Sequence, residues 1–63
     1  MEYKIKEIRK KKRLSQDELS KMSGVSRGII VRLESEKNVE TTTGTLKALA
    51  DALGVSVRSL FLS

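Results

Sequence analysis

The sequence of 63 residues contains no cysteine, no histidine and no proline. Without cysteine the chain has neither disulfides nor thiolate metal sites, and without histidine it lacks the usual general base and a second common zinc ligand. These absences argue against an enzyme and against a metal or other cofactor. The absence of proline suits a chain that is almost entirely helical, because proline interrupts helices.

Long apolar segments are missing as well. No apolar run approaches the roughly 20 residues needed to span a bilayer, and the N-terminus lacks the apolar stretch of a signal peptide. We therefore expect a cytoplasmic protein without a membrane partner. The length predicts a single domain over residues 1–63, which buries only about 60% of the surface that its unfolded chain exposes. Such a domain has no spare volume for a large substrate pocket, and we expect no small-molecule ligand.

The positive charge is concentrated near the N-terminus. The formal net charge is +5, and residues 1–13 contain seven basic and two acidic residues, whereas residues 14–63 contain six of each. A basic patch of this kind attracts a polyanion such as nucleic acid. A solvated helix face that aids solubility explains the same charge equally well.

Apolar spacing predicts a first helix over residues 3–12, with Ile5 and Ile8 on one face. A second helix is predicted to begin after Ser15, because residues 15–18 (Ser-Gln-Asp-Glu) have the pattern of a capping box. In that arrangement the serine hydroxyl and the glutamate carboxylate each accept a hydrogen bond from the other residue's backbone.

The next stretch has the pattern of two short helices joined by a tight turn. Leu19 is the main inward residue of the second helix, and Met22 is a possible second one. Gly24 supplies the left-handed residue that a tight helix exit needs, and Ser26 caps a third helix over residues 27–35. Two short helices joined by a glycine-containing turn of three or four residues are the signature of a helix-turn-helix.

The last third of the chain predicts two more helices. Residues 36–41 are polar and form a loop. Thr42 is the preferred cap of a fourth helix over residues 43–53, although both neighbouring threonines compete for the role. Gly54 ends this helix, and Ser56 caps a short final helix.

Four short segments carry a family resemblance. They are LSQDEL at 14–19, GVSR at 24–27, LE at 33–34 and LGVS at 53–56. In this order and spacing they closely resemble the Cro/repressor-type helix-turn-helix family of phage and bacterial transcriptional regulators, from about residue 5 to residue 61. The resemblance implies a compact, all-α, five-helix lambda-repressor-like domain. It also implies that helices two and three bind double-stranded DNA.

The resemblance assigns roles to residues of the second and third helices. Gln16 matches the family glutamine that contacts a phosphate and braces the recognition helix. Arg27, Gly28 and Arg32 match positions that face base edges.

Two further sets of residues follow from the resemblance. Ser35, Lys37 and Asn38 match the loop that touches backbone phosphates after the recognition helix. Arg9 and Glu34 match a family pair that forms a structural salt bridge between helices one and three.

The chain departs from the family pattern at several positions. Gly28 and Ile29 replace small polar residues, Ser20 replaces an alanine at the close contact of helices two and three, and Glu36 occupies a loop position where glycine is common. These departures affect the expected base preference more than the expected fold.

The two arginines of the third helix are five residues apart, about 500° of rotation. Arg27 and Arg32 therefore lie within roughly 140° of each other, on the side away from Ile30. Arginine bound to guanine O6 and N7 is the commonest specific base contact. Base contact is the favoured role of Arg32, whereas base and phosphate contact are equally supported for Arg27. Ile29 either meets a thymine methyl group or packs under helix two.

Three polar residues lie at helix N-termini, where free N–H groups and the positive end of the helix dipole bind phosphate. These residues are Ser15, Gln16 and Ser26, and capping is the primary expected role of both serines. The basic residues 10–13 lead directly into Ser15 and are expected to lie near the same phosphate strand.

The resemblance implies a sequence-specific regulator, a repressor that acts as a homodimer on half-sites about 34 Å apart. The closely spaced residues 60–62 (Leu-Phe-Leu) are either a dimer interface or part of the monomer core. One alternative is a DNA-binding antitoxin, although no separate toxin-binding tail is recognisable. Another is a protein-interaction module that kept the fold without DNA binding, which Glu36 and the neutral charge balance after residue 13 favour.

Overall fold

A computed structural model describes residues 3–36 and 40–61, and the regular elements of these residues are helical. The elements in chain order are α1 (Ile5–Lys11), α2 (Gln16–Ser23), α3 (Arg27–Ser35), α4 (Thr43–Leu53) and a final 3₁₀ helix (Val57–Leu60). The predicted all-α class is confirmed. The described residues form four α-helices rather than five, because the last predicted helix is a single 3₁₀ turn.

The start of the first helix differs from the prediction of residues 3–12. Tyr3 lies outside α1 and forms an isolated antiparallel bridge with Phe61, and the two ring centroids are 5.5 Å apart. The backbone N–H of Lys4 donates to the carbonyl of Leu60 at 2.6 Å. The N-terminal backbone therefore pairs with the C-terminal backbone, which delays the first helical turn.

The ends of the later helices follow the predicted caps. Each N-cap side chain accepts a hydrogen bond from the backbone N–H three residues ahead. These caps are Ser15, Ser26, Thr42 and Ser56. The exit residues Gly24 and Gly54 adopt φ angles of 76° and 70°, a left-handed conformation that glycine adopts without steric cost.

One aliphatic cluster forms the core. Its buried members are Ile5, Leu19, Val25, Ile30, Leu33, Leu46, Leu49, Ala50, Leu53 and Leu60. Helix α2 packs against both α3 and α4, and α4 packs against the final 3₁₀ helix. This arrangement fixes α3 by its buried face and leaves its opposite face exposed.

The structure contradicts one expectation about apolar residues and favours one of two alternatives for another. Met22 is 56% exposed and lies outside the core, where Val25 of the following turn is buried instead. Of the segment 60–62, Leu60 is fully buried within the monomer, as the core alternative predicts, and residue 62 lies outside the described residues. Within the described ranges no helix is both long and apolar enough to cross a membrane.

Candidate nucleic-acid interface

The N-terminus of α2 is organised by a complete capping box. The Glu18 N–H donates to Ser15 Oγ at 3.0 Å, and the Ser15 N–H donates to Glu18 Oε1 at 2.8 Å. The bond from the Ser15 backbone, helped by the Ser15 hydroxyl, lowers the pKa of Glu18. The box fixes the direction in which the first turn of α2 presents its N–H groups.

The turn between α2 and α3 is held by two serine hydroxyls. Ser20 Oγ donates to the Val25 carbonyl at 2.7 Å, and Ser23 Oγ donates to the Leu19 carbonyl while accepting from the Val25 N–H. The serine at position 20, where the family commonly has alanine, thus binds a backbone carbonyl of the turn. These bonds set the angle at which α3 leaves α2.

Helix α3 has one buried and one exposed face. Ile30 and Leu33 are buried, and Ser26 caps the helix by accepting from the Ile29 N–H at 3.4 Å. The exposed face contains the predicted base-contacting residues, namely Arg27, Gly28, Ile29 and Arg32, and also Val31. This face is therefore free to enter a groove of a partner molecule.

Both exposed arginines of α3 lie beside a carboxylate. Arg27 Nη1 is 3.9 Å from Asp17 Oδ1 across the turn. Arg32 Nε donates to Glu36 Oε2 at 3.1 Å, one helical turn further along. All four side chains are more than half exposed, and exposed pairs of this kind contribute little to the free energy of unfolding.

A nearly buried network joins the first three helices. Arg9 Nε donates to Glu34 Oε2 at 2.8 Å, and Arg9 Nη2 donates to Glu34 Oε1 at 3.0 Å. Gln16 Nε2 donates to the same Oε1 at 3.0 Å, and Arg9 Nη1 donates to the Leu14 carbonyl. The hydrogen bond to Glu34 raises the pKa of Arg9. The structure thus brings together the predicted pair, Arg9 and Glu34, and it ties Gln16, expected to brace the third helix, to Glu34 of that helix.

Among the described residues other than glycine, Arg13 alone has a positive φ angle, which is 57°. Its exposed side chain lies two positions before Ser15, the N-cap of α2. A left-handed conformation is costly for a residue with a Cβ atom. An exposed cation on a strained backbone thus precedes the N-cap of α2 by two positions.

Two of the remaining predicted site residues, Ile29 and Ser35, lie on α3. Ile29 is 39% exposed and lines a groove of about 290 Å³ that reaches Thr45 of α4. Ser35 is exposed and its hydroxyl donates to the Val31 carbonyl at 2.7 Å. Lys37 and Asn38 lie outside the described residues.

Several features of this surface were absent from the sequence-based assignment. The i,i+4 spacing of Arg32 and Glu36 could have indicated their pairing. No local pattern indicated that Asp17 reaches Arg27, because the two residues belong to different helices.

Comparison with known families agrees with this geometry. A family model described as helix-turn-helix matches residues 5–60, which includes every helix described above. No curated protein sequence matches the chain significantly. The chain belongs to the Cro/C1-type helix-turn-helix family of DNA-binding regulators.

Proposed function

We propose that this protein is a sequence-specific regulator of transcription that acts in the cytoplasm and reads the major groove of double-stranded DNA with α3. The observation that carries the proposal is the exposed face of α3, which contains Arg27, Gly28, Ile29 and Arg32, together with the capped N-termini of α2 and α3. An α-helix fits the major groove, where base pairs present distinct donors and acceptors.

Phosphate contacts come from the edges of this face. Ser15, Gln16 and Ser26 place helix N-termini toward the backbone of the duplex, and the basic residues 10–13 add positive charge. The C-terminal end of α3 contributes Ser35, and the residues that follow contribute Lys37 and Asn38. Such contacts set affinity and register without reading sequence.

Base contacts come from the centre of the face. Arg32 binds guanine through its guanidinium, and Arg27 binds either a base or a phosphate at the start of the helix. Ile29 contacts a thymine methyl group. Gly28 has open space where a Cβ atom would be, which supports close approach of the α3 backbone to the duplex.

Repression as a homodimer is the form of regulation that we propose. Occupancy of a promoter is sufficient for repression and needs no contact beyond those to DNA. Two copies related by a two-fold axis would read half-sites about 34 Å apart. Sedimentation with and without duplex tests this proposal, and a monomer under both conditions contradicts it.

The test of the main proposal is selection of bound sequences from a pool of randomised duplexes, followed by salt titration. We expect one enriched motif, and we expect its affinity to fall steeply as salt rises because counterions are released from phosphates. Enrichment of no motif, together with weak binding that is insensitive to salt, would favour the protein-interaction module instead.

A further inference from the structure

Glu36 occupies a position that the DNA-reading surface does not explain by itself. It is an exposed carboxylate at the C-terminal end of α3, on the side that approaches phosphate if the proposed function holds. A negative charge there opposes binding to a polyanion. Its presence therefore needs a reason other than attraction for DNA.

The geometry of Glu36 relative to Arg32 supplies that reason. The backbone N–H of Glu36 donates to the Arg32 carbonyl at 2.9 Å, which fixes Glu36 one turn beyond Arg32. Its side chain then accepts from Arg32 Nε at 3.1 Å. Two hydrogen bonds thus tie the same two residues together, one through the backbone and one through the side chains.

The guanidinium nitrogen that binds Glu36 determines which nitrogens of Arg32 remain available to a base. The bond to Glu36 uses Nε, and within residues 3–36 and 40–61 neither terminal nitrogen of Arg32 has an acceptor. The terminal nitrogens form the fork that can meet guanine O6 and N7 together. A carboxylate on Nε holds the plane of this fork while leaving it open to a ligand.

We propose that Glu36 is a specificity-determining positioning residue, which orients the guanidinium of Arg32 toward a guanine and weakens its attraction to phosphates. The second effect follows from charge, because the pair carries no net charge and phosphate binding is mainly electrostatic. The inference rests on the proposed function, since it assumes that Arg32 reads a base.

The test uses the full chain, the duplex selected by the wild type, the same duplex with its candidate guanine pair replaced, and a random duplex. The variant Arg32→Ala first identifies the guanine, because loss of the arginine removes the base preference at the position in the duplex that Arg32 contacts. Glu36→Ala then removes both charge and acceptor, whereas Glu36→Gln removes the charge and keeps an acceptor oxygen. Asp51→Asn, on the exposed side of α4, is the matched control for net charge.

We expect the wild type to prefer guanine by about 5- to 150-fold. Glu36→Ala should reduce this preference by about 1.4- to fivefold, the range of an exposed ion pair, and should tighten binding to random duplex. Glu36→Gln should keep more of the preference than Glu36→Ala, and Asp51→Asn should keep all of it. Thermal unfolding of each variant shows that the fold is intact.

Three results would overturn the inference. If Glu36→Ala keeps or sharpens the guanine preference, Glu36 competes with DNA for Arg32 rather than orienting it. If Arg32→Ala leaves the preference unchanged, Arg32 does not read the base, although the protein can still be a sequence-specific regulator. If the wild type selects no motif, the proposed function fails and this inference fails with it.

Discussion

Gln16 and Glu34 are joined by a hydrogen bond of 3.0 Å from Gln16 Nε2 to Glu34 Oε1. The same carboxylate oxygen accepts from Arg9 Nη2. The first residue of α2 is thereby tied to the last turn of α3, and both are tied to α1. The network fixes the angle between α2 and α3, the helices that we propose meet phosphate and bases.

Replacement of Glu34 by alanine should destabilise the fold before it changes any direct DNA contact. It leaves the guanidinium of Arg9 nearly buried without its carboxylate, and losing one partner of a buried pair costs about 3 kcal/mol or more. In a domain of this size that loss lowers the melting temperature by at least about 10 °C. Glu34→Gln keeps the volume and an acceptor oxygen and should lose less stability. Equal melting temperatures for wild type and Glu34→Ala contradict this prediction.

Replacement of Arg13 by glycine should change stability and DNA affinity in opposite directions. Glycine relieves the left-handed backbone at φ 57°, a gain of about 1 kcal/mol in the free energy of unfolding. The lost cation should weaken binding to any duplex and reduce the salt slope by about 0.9, the value for one phosphate contact. Arg13→Lys keeps charge and strain and should change neither quantity much. Unchanged affinity in Arg13→Gly means that this side chain does not reach the duplex.

Replacement of Gly28 by alanine should stabilise the free protein and weaken specific binding. Alanine is favoured over glycine within a helix by up to about 1 kcal/mol, and apart from adjacent residues and the backbone of α3 itself no atom lies within 4 Å of the added Cβ. If the α3 backbone lies against the duplex here, the methyl group holds it away. Urea unfolding and titration of the selected duplex measure the two effects. A more stable variant that binds as tightly as the wild type contradicts the close approach.

Protonation of Glu18 should remove the stability that the capping box provides. The folded pKa of Glu18 lies below its ordinary value of 4.5, so the contribution is fully present above that value and is lost as pH falls through the folded pKa. The stability difference between wild type and Glu18→Gln should therefore shrink from about pH 6 to about pH 3. Urea unfolding at both pH values measures it, and NMR titration of the Glu18 carboxyl gives the pKa. A difference that does not change with pH contradicts this assignment.

The helix ends were predictable because capping depends on residues only three positions apart. Ser15 and Ser26 lie directly before amphipathic segments, and their hydroxyls have a backbone N–H within reach. The start of α1 was not predictable in this way, since it depends on pairing of Tyr3 with Phe61 at the other end of the chain. Burial of Val25 in place of Met22 depends on the path of the turn, which local spacing does not determine.

The candidate site was predictable to a similar extent. The exposed face of α3 follows from the inward spacing of Ile30 and Leu33. The carboxylates beside the two arginines are the part that was not assigned, since Asp17 reaches Arg27 only because the turn brings α2 against α3. Side-chain pairing across helices depends on packing angles that no short sequence pattern encodes.

The central claim is that Arg32 binds a base directly. A double-mutant cycle tests it most directly, because it compares the DNA affinities of the wild type and Arg32→Ala for duplexes with and without a modified guanine. In the selected duplex the guanine is replaced by 7-deazaguanine, which lacks the N7 acceptor that arginine binds. We predict that wild-type affinity falls by about tenfold, whereas the affinity of Arg32→Ala does not change. An equal loss for both proteins, or no loss for the wild type, contradicts the assignment of Arg32 to that guanine.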